Sequence, residues 1–178
     1  MSMLKYRAIS NNQLANELQA QGIHFLGVAE PINCVSLLAP TELIVGLAQS
    51  SEARLRLALI PLFLRRPDFA QFVVASRLSM EPPSLITLNC YYSAAVLLQQ
   101  KYKDDFARFG YLPDLFTKEL NISHAGPPAL RLSQLAQRHA ELSGDAINWL
   151  GTYEHAAQRL RKYLQQEMNN QRMLQESV

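Results

Sequence analysis

Apolar residues recur every three or four positions along most of this chain, and four runs stop at a glycine: Gly22, Gly110, Gly126 and Gly144. Steps of three and four keep side chains on one face of an α-helix, and glycine ends a helix readily because it enters the left-handed region without steric cost. The pattern predicts helices joined by short connections. Ser10 is placed to cap a first helix ending near Gln21, with Leu14 and Leu18 on one face. From Ile23 to Ala39 the period is lost. Ile23 to Val28 has the composition of a short strand, but Pro31 limits it and no second strand offers pairing, so extended chain is expected there.

Pro40, Thr41 and Glu42 open the next helix, the carboxylate sitting at the positive end of the dipole. Ser50 and Ser51 offer a cap for SSEARLRLALIPLFLRRPDFAQFVVASRL, in which Leu55, Leu59, Leu62 and Phe63 share a face. Pro61 has no N–H to give the carbonyl of Leu57, so the helix across Leu55 to Leu64 should kink or split. Pro67 suits the first position of another helix that buries Phe69, Phe72 and Val73. Pro82 and Pro83 read as a break, with Ser84 starting the strongest helix. Its stripe is Leu85, Leu88, Tyr92, Ala95, Gln99, Tyr102, Phe106 and Phe109, widened by Tyr91 and Leu98. A face that wide belongs at the centre of a bundle.

A short helix from Pro113 should turn Leu115, Phe116 and Leu120 inward, followed by the loop SHAGPP. ALRLSQLAQRHAELSG then buries Leu132, Leu135, Ala136 and Leu142. Asp145 is an N-cap by type for the last helix, whose seam runs Ile147, Leu150, Tyr153, Ala157, Leu160 and Leu164, weakly on to Met168. The expected fold is all-α: one irregular helical bundle of about six or seven helices, arranged partly as helical hairpins. Residues 1–39 supply a helix and an irregular segment, 40–173 the core and 174–178 a frayed tail.

Composition narrows the function. The 178 residues are 48% hydrophobic and only 18% charged, which excludes disorder and falls below the charged fraction usual for a globular domain. Either a partner covers part of the surface, or Gln, Asn and Ser supply the missing polarity. A net charge of +2 does not by itself point to nucleic acid. Cys34 and Cys90 lie in apolar company without metal-ligand spacing, as reduced core thiols of a cytoplasmic protein would. The N-terminal stretch lacks the apolar core of a signal peptide, and the longest apolar run is too short to span a bilayer, so no membrane association is expected.

Known catalytic spacings are not met. There is no GxSxG elbow, phosphate-cradling glycine loop or HExxH pair, and Asp104 and Asp105 sit among Lys101, Lys103 and Arg108 as a solvated face. No metal or cofactor is expected. His139 and His155 lie on consecutive helices and can meet across the hairpin, with Glu141 or Glu154 beside them; the competing reading is a polar pair facing water. Trp149, Tyr153, Tyr91, Tyr92 and Tyr102 either line an aromatic pocket or pack in the core.

Three stretches, LRLALIPLFLRRPDFA, YLPDLF and LAQRHAELSGDAINWLGTYEHAAQRL, together resemble an uncharacterised family of small helical bacterial proteins. The resemblance runs from about Glu42 to Leu164 and is carried by structural motifs. It implies a companion, a nucleotidyltransferase-like protein, in the manner of toxin–antitoxin pairs, and it transfers no active-site residue.

Three functions are weighed, in order. The first is a non-enzymatic protein-interaction or regulatory subunit whose interface uses Arg54, Arg56, Arg65, Arg66, Phe69 and Phe72, arginine beside Leu and Phe being a common interface composition. The second is a DNA-binding regulator that uses the helix pair 132–162, with Arg138, Arg159, Arg161 and Lys162 on phosphates. The third is an enzyme that uses His139 and His155 as acid/base groups or metal ligands. A homodimer through the last helix is compatible with all three.

Overall fold

The structure, a computed structural model, describes residues 9–24 and 37–176. Among these the chain is helical with no strand: α1 is Asn11–Ala20, α2 Pro40–Gln49, α3 Ala53–Leu57, α4 Leu59–Arg65, α5 Ala70–Arg77, α6 Pro82–Lys101, α7 Lys103–Phe106, α8 Pro128–Ser143 and α9 Trp149–Glu176. The all-α expectation is met. Cys34 and most of the stretch considered as a strand, Ile23 to Val28, lie outside the described residues.

Local chemistry sets the boundaries. Ser10 caps α1 in a reciprocal box: its hydroxyl accepts from Gln13 N–H at 3.2 Å, while Gln13 Oε1 accepts from Ser10 N–H at 3.0 Å. Gly22 follows with φ +82°. α2 begins at Pro40, and Glu42 reaches back to accept the Ala39 N–H at 2.9 Å. Pro61 splits the helix. α3 ends at Leu57, and α4 starts afresh so that Pro61 falls in its first turn, where an N–H would have no helical acceptor anyway. Pro67 opens a single 3-10 turn, Pro67–Phe69, ahead of α5.

α6 is the axis of the bundle, packed against α2, α4, α8 and α9. Every residue from Leu88 to Gln99 is buried, so this helix is enclosed on all sides. α4 is likewise buried from Leu59 to Leu64. Their shared core includes Phe63 edge-on to Tyr92, with ring centroids 4.9 Å apart, and Tyr92 edge-on to Phe116 at 5.4 Å.

Several boundaries differ from the sequence reading, each for a local reason. α3 is not capped by a serine side chain on its own first turn: Glu52 precedes it, and the Ser50 hydroxyl instead accepts the Glu52 N–H at 3.2 Å. Pro82 and Pro83 occupy the first turn of α6 rather than breaking before it, because neither needs an N–H there. The stripe does not continue as one helix to Phe109. Tyr102 leaves helical geometry at φ −112°, ψ 47°, and α7 follows.

No helix forms at Pro113–Leu120. The segment is held as turns because α6 side chains capture its backbone: Tyr92 donates to Pro113 O at 2.8 Å, and Gln99 both donates to Gly110 O and accepts from Leu112 N–H, each at 2.9 Å. Asp114 adds a bond from Thr117 N–H at 3.1 Å. Phe116 and Leu120 still point inward. The last helix is capped by Asn148, not Asp145, Asn148 Oδ1 accepting from Gly151 N–H at 2.9 Å. Ile147 consequently lies outside α9 and exposed. α9 is helical through Glu176, so residues 174–176 of the stretch expected to fray are helical. No helix is long and apolar enough to cross a membrane among the described residues.

Candidate functional site

The helices α8 and α9 form a hairpin closed by Gly144, which takes φ +72° at the end of α8 and so turns the chain toward the Asn148 cap. On α8, His139 follows Leu132 and Leu135 in steps of three and four, which carries it onto the buried face. On α9, Trp149 and Tyr153 are one turn apart and look toward His139. α6 completes the group with Tyr91.

These rings are tightly arranged. His139 and Trp149 stack with centroids 3.6 Å apart and planes 18° from parallel. Tyr91 meets His139 edge-on at 5.6 Å and 80°, and meets Tyr153 edge-on at 6.2 Å and 88°. His139 Nδ1 and the Tyr153 hydroxyl are 2.7 Å apart and share one hydrogen bond. The imidazole is 2% exposed. Burial holds its pKa down to about 4, so it is neutral at physiological pH. Burial also pushes the Tyr91 hydroxyl and the Cys90 thiol up to about 12 each, and raises Tyr153 well above the usual phenol range.

Above the rings lies a cavity of about 390 Å³, bounded by Arg56, Ser84, Tyr91, His139, Asp145 and Trp149 among others. Arg56 Nη1 donates to Ser50 O at 2.7 Å. No group of three or more His, Cys, Asp and Glu side chains is placed to hold a metal among the described residues. A neutral imidazole hydrogen-bonded to a phenol offers a flat wall and a hydrogen bond.

The sequence candidates are dispersed. His155 is exposed and does not meet His139; two residues after Tyr153 it points about 200° away around α9. Glu154 is bound to Lys101 and accepts the Tyr102 hydroxyl at 2.6 Å, and Glu141 pairs with Arg138 at 3.0 Å. The aromatic set divides: Tyr91, Tyr153 and Trp149 line the cleft, Tyr92 belongs to the Phe63 core and Tyr102 to the α7 surface.

The arginine-edged segment is largely engaged within the molecule. Arg54 pairs with Glu52 at 2.5 Å. Arg65 grips Glu167 with two nitrogens at 3.1 and 3.2 Å and lies over the Phe109 and Tyr163 rings. Arg66 forks onto Asp68 at 2.8 and 2.9 Å and also reaches Gln21. Phe69 is 2% exposed beneath Arg66, so it offers no interface surface as it stands, and Phe72 is half-buried against it. Of the residues assigned to phosphates, Arg138 is paired with Glu141 and Arg161 with Asp105 at 2.7 Å, over the Tyr102 ring. Arg159 and Lys162 are exposed on α9.

Comparison of the chain with family models, curated proteins and solved structures gives no match.

Proposed function

We propose that this chain is a non-enzymatic binding subunit that docks onto another protein, the companion nucleotidyltransferase-like polypeptide of a bacterial two-component pair. The observation that carries the reading is the outer face of α5. Gln71, Val74, Ala75 and Leu78 are all exposed, at the offsets zero, three, four and seven that make one helical stripe, and none is charged. Val74 is 59% exposed and Leu78 89%. The inner face of α5 is fixed to the core through Val73 and Ser76 and packs on α2, so the stripe is held rigidly.

Its margins are charged and already ordered. Arg66–Asp68 stands at one end, and Arg77–Glu119, at 2.6 Å, beside the other. An apolar centre inside a polar rim is the layout of protein interfaces, and an apolar helix face is a common unit of docking. This stripe continues the segment that composition nominated, with Val74 and Leu78 taking the part first assigned to Phe69.

The test is affinity purification of the tagged full chain from its native host. A nucleotidyltransferase-like polypeptide is expected in equal amount, and the double substitution Val74→Glu, Leu78→Glu is expected to release it while helicity is retained. Recovery of the chain alone, or undiminished retention by the double variant, refutes the proposal.

A further inference from the structure

Seven arginines among the described residues are buried or half-buried, and six of them have a carboxylate within 4 Å: Arg65, Arg66, Arg77, Arg131, Arg138 and Arg161. Arg56 is the exception. Its one hydrogen bond, to Ser50 O, uses Nη1 and leaves the rest of the fork uncommitted. A guanidinium with no ion pair has donors to spare, and its planar donor fork matches a carboxylate. Arg56 borders the 390 Å³ cavity, where a partner could reach it.

We infer that the cavity between α2, α6 and the α8–α9 hairpin binds a small monocarboxylate carrying a flat ring, with Arg56 taking the carboxylate and the ring laid against the wall that Tyr91 and Trp149 form. Four features of the cleft support this. Its volume, near the lower end of the ~300–1,000 Å³ typical of ligand pockets, suits a single-ring molecule. The Ser84 side chain borders the cavity, and a hydroxyl can donate to a carboxylate. The wall is aromatic and rigid, because Trp149 is stacked on His139 and His139 is fixed by Tyr153. Asp145 on the rim disfavours a doubly charged phosphate and leaves a single negative charge as the better match. The site is separate from the α5 stripe, so this inference does not depend on the partner reading.

Trp149 is the only tryptophan in the chain, so its fluorescence reports on this wall and nowhere else. The experiment titrates the full chain with benzoate, with benzyl alcohol as the uncharged analogue, and with inorganic phosphate. Benzoate is expected to change the Trp149 emission saturably, whereas benzyl alcohol and phosphate do not at the same concentration. A charge-assisted pair lost from such a site costs roughly tenfold to a hundredfold in affinity, so Arg56→Gln should weaken benzoate binding by at least tenfold. Arg54→Gln, on the exposed side of α3, should leave it unchanged. Arg56→Lys keeps the charge and stem but loses the fork, and weakens binding several-fold; it carries the test if Arg56→Gln does not fold. No saturable response to millimolar benzoate, equal response to benzyl alcohol or phosphate, or equal binding by both Arg56 variants overturns the inference.

Discussion

Replacing His139 with Phe should change how stability depends on pH. Phenylalanine keeps a flat ring against Trp149 but cannot take up a proton. In the wild type the imidazole is buried between Trp149, Tyr91 and Tyr153, and burial lowers its pKa from its ordinary value of 6.5 to about 4. The unfolded chain binds that proton first. Between pH 6.5 and about 4 the unfolded state therefore carries more protons than the folded one, and stability falls as pH falls. The contribution is complete above the unfolded value and fully lost once the folded value is passed. The interval corresponds to about 3 kcal/mol, a substantial part of the ~5–15 kcal/mol that stabilises an ordinary domain.

Urea unfolding of both proteins, followed by helical circular dichroism across that window, measures the effect. The wild type should lose about 3 kcal/mol more than His139→Phe as the pH is lowered. Carboxylates that also titrate in acid, such as Asp68 beside Arg66, are common to both proteins and cancel in the difference. Parallel profiles would refute the reasoning, because they would mean that the imidazole titrates as it does in the unfolded chain.

Three other outcomes follow from the same geometry. Tyr153→Phe removes the hydroxyl that shares a hydrogen bond with His139 Nδ1 and should cost about 1–2 kcal/mol by denaturant unfolding at neutral pH; no loss would mean the bond is not made. Gly22→Ala should destabilise by about 1 kcal/mol or more, since the position has φ +82° and the added methyl would lie 2.5 Å from Arg65 Nε; thermal melting measures this. Cys90, whose buried thiol is pushed up to about 12, should resist iodoacetamide in the native protein and react once urea is added, as peptide mass mapping would show.

Much of the fold was legible because its signals are local. Ser10 and Gln13 make their capping box from side chains three residues apart, and Pro61 divides α3 from α4 through a missing N–H. The segment after Gly110 was not legible, since its turns are imposed by Tyr92 and Gln99, which are distant in sequence and reach its backbone only after α6 is in place. The cleft was half legible. Trp149, Tyr153 and Tyr91 stand out by type, whereas His139 reads by type as a ligand or a surface group and only its register with Leu132 and Leu135 marks the buried face. Arg56 reads in sequence only as one of several interface arginines, and nothing there places it at the cavity. Its distinction from Arg54 and Arg65 is the absence of a carboxylate, and the pairing of arginines with Glu167 or Asp105 is decided by tertiary contacts.

If the α5 stripe holds a companion protein, the two chains should purify as one particle. The most direct measurement is the light-scattering mass of the tagged chain purified at native expression. A mass exceeding one chain by a single nucleotidyltransferase-like polypeptide is predicted, and a mass equal to one chain, or to a whole multiple of it, would contradict the account.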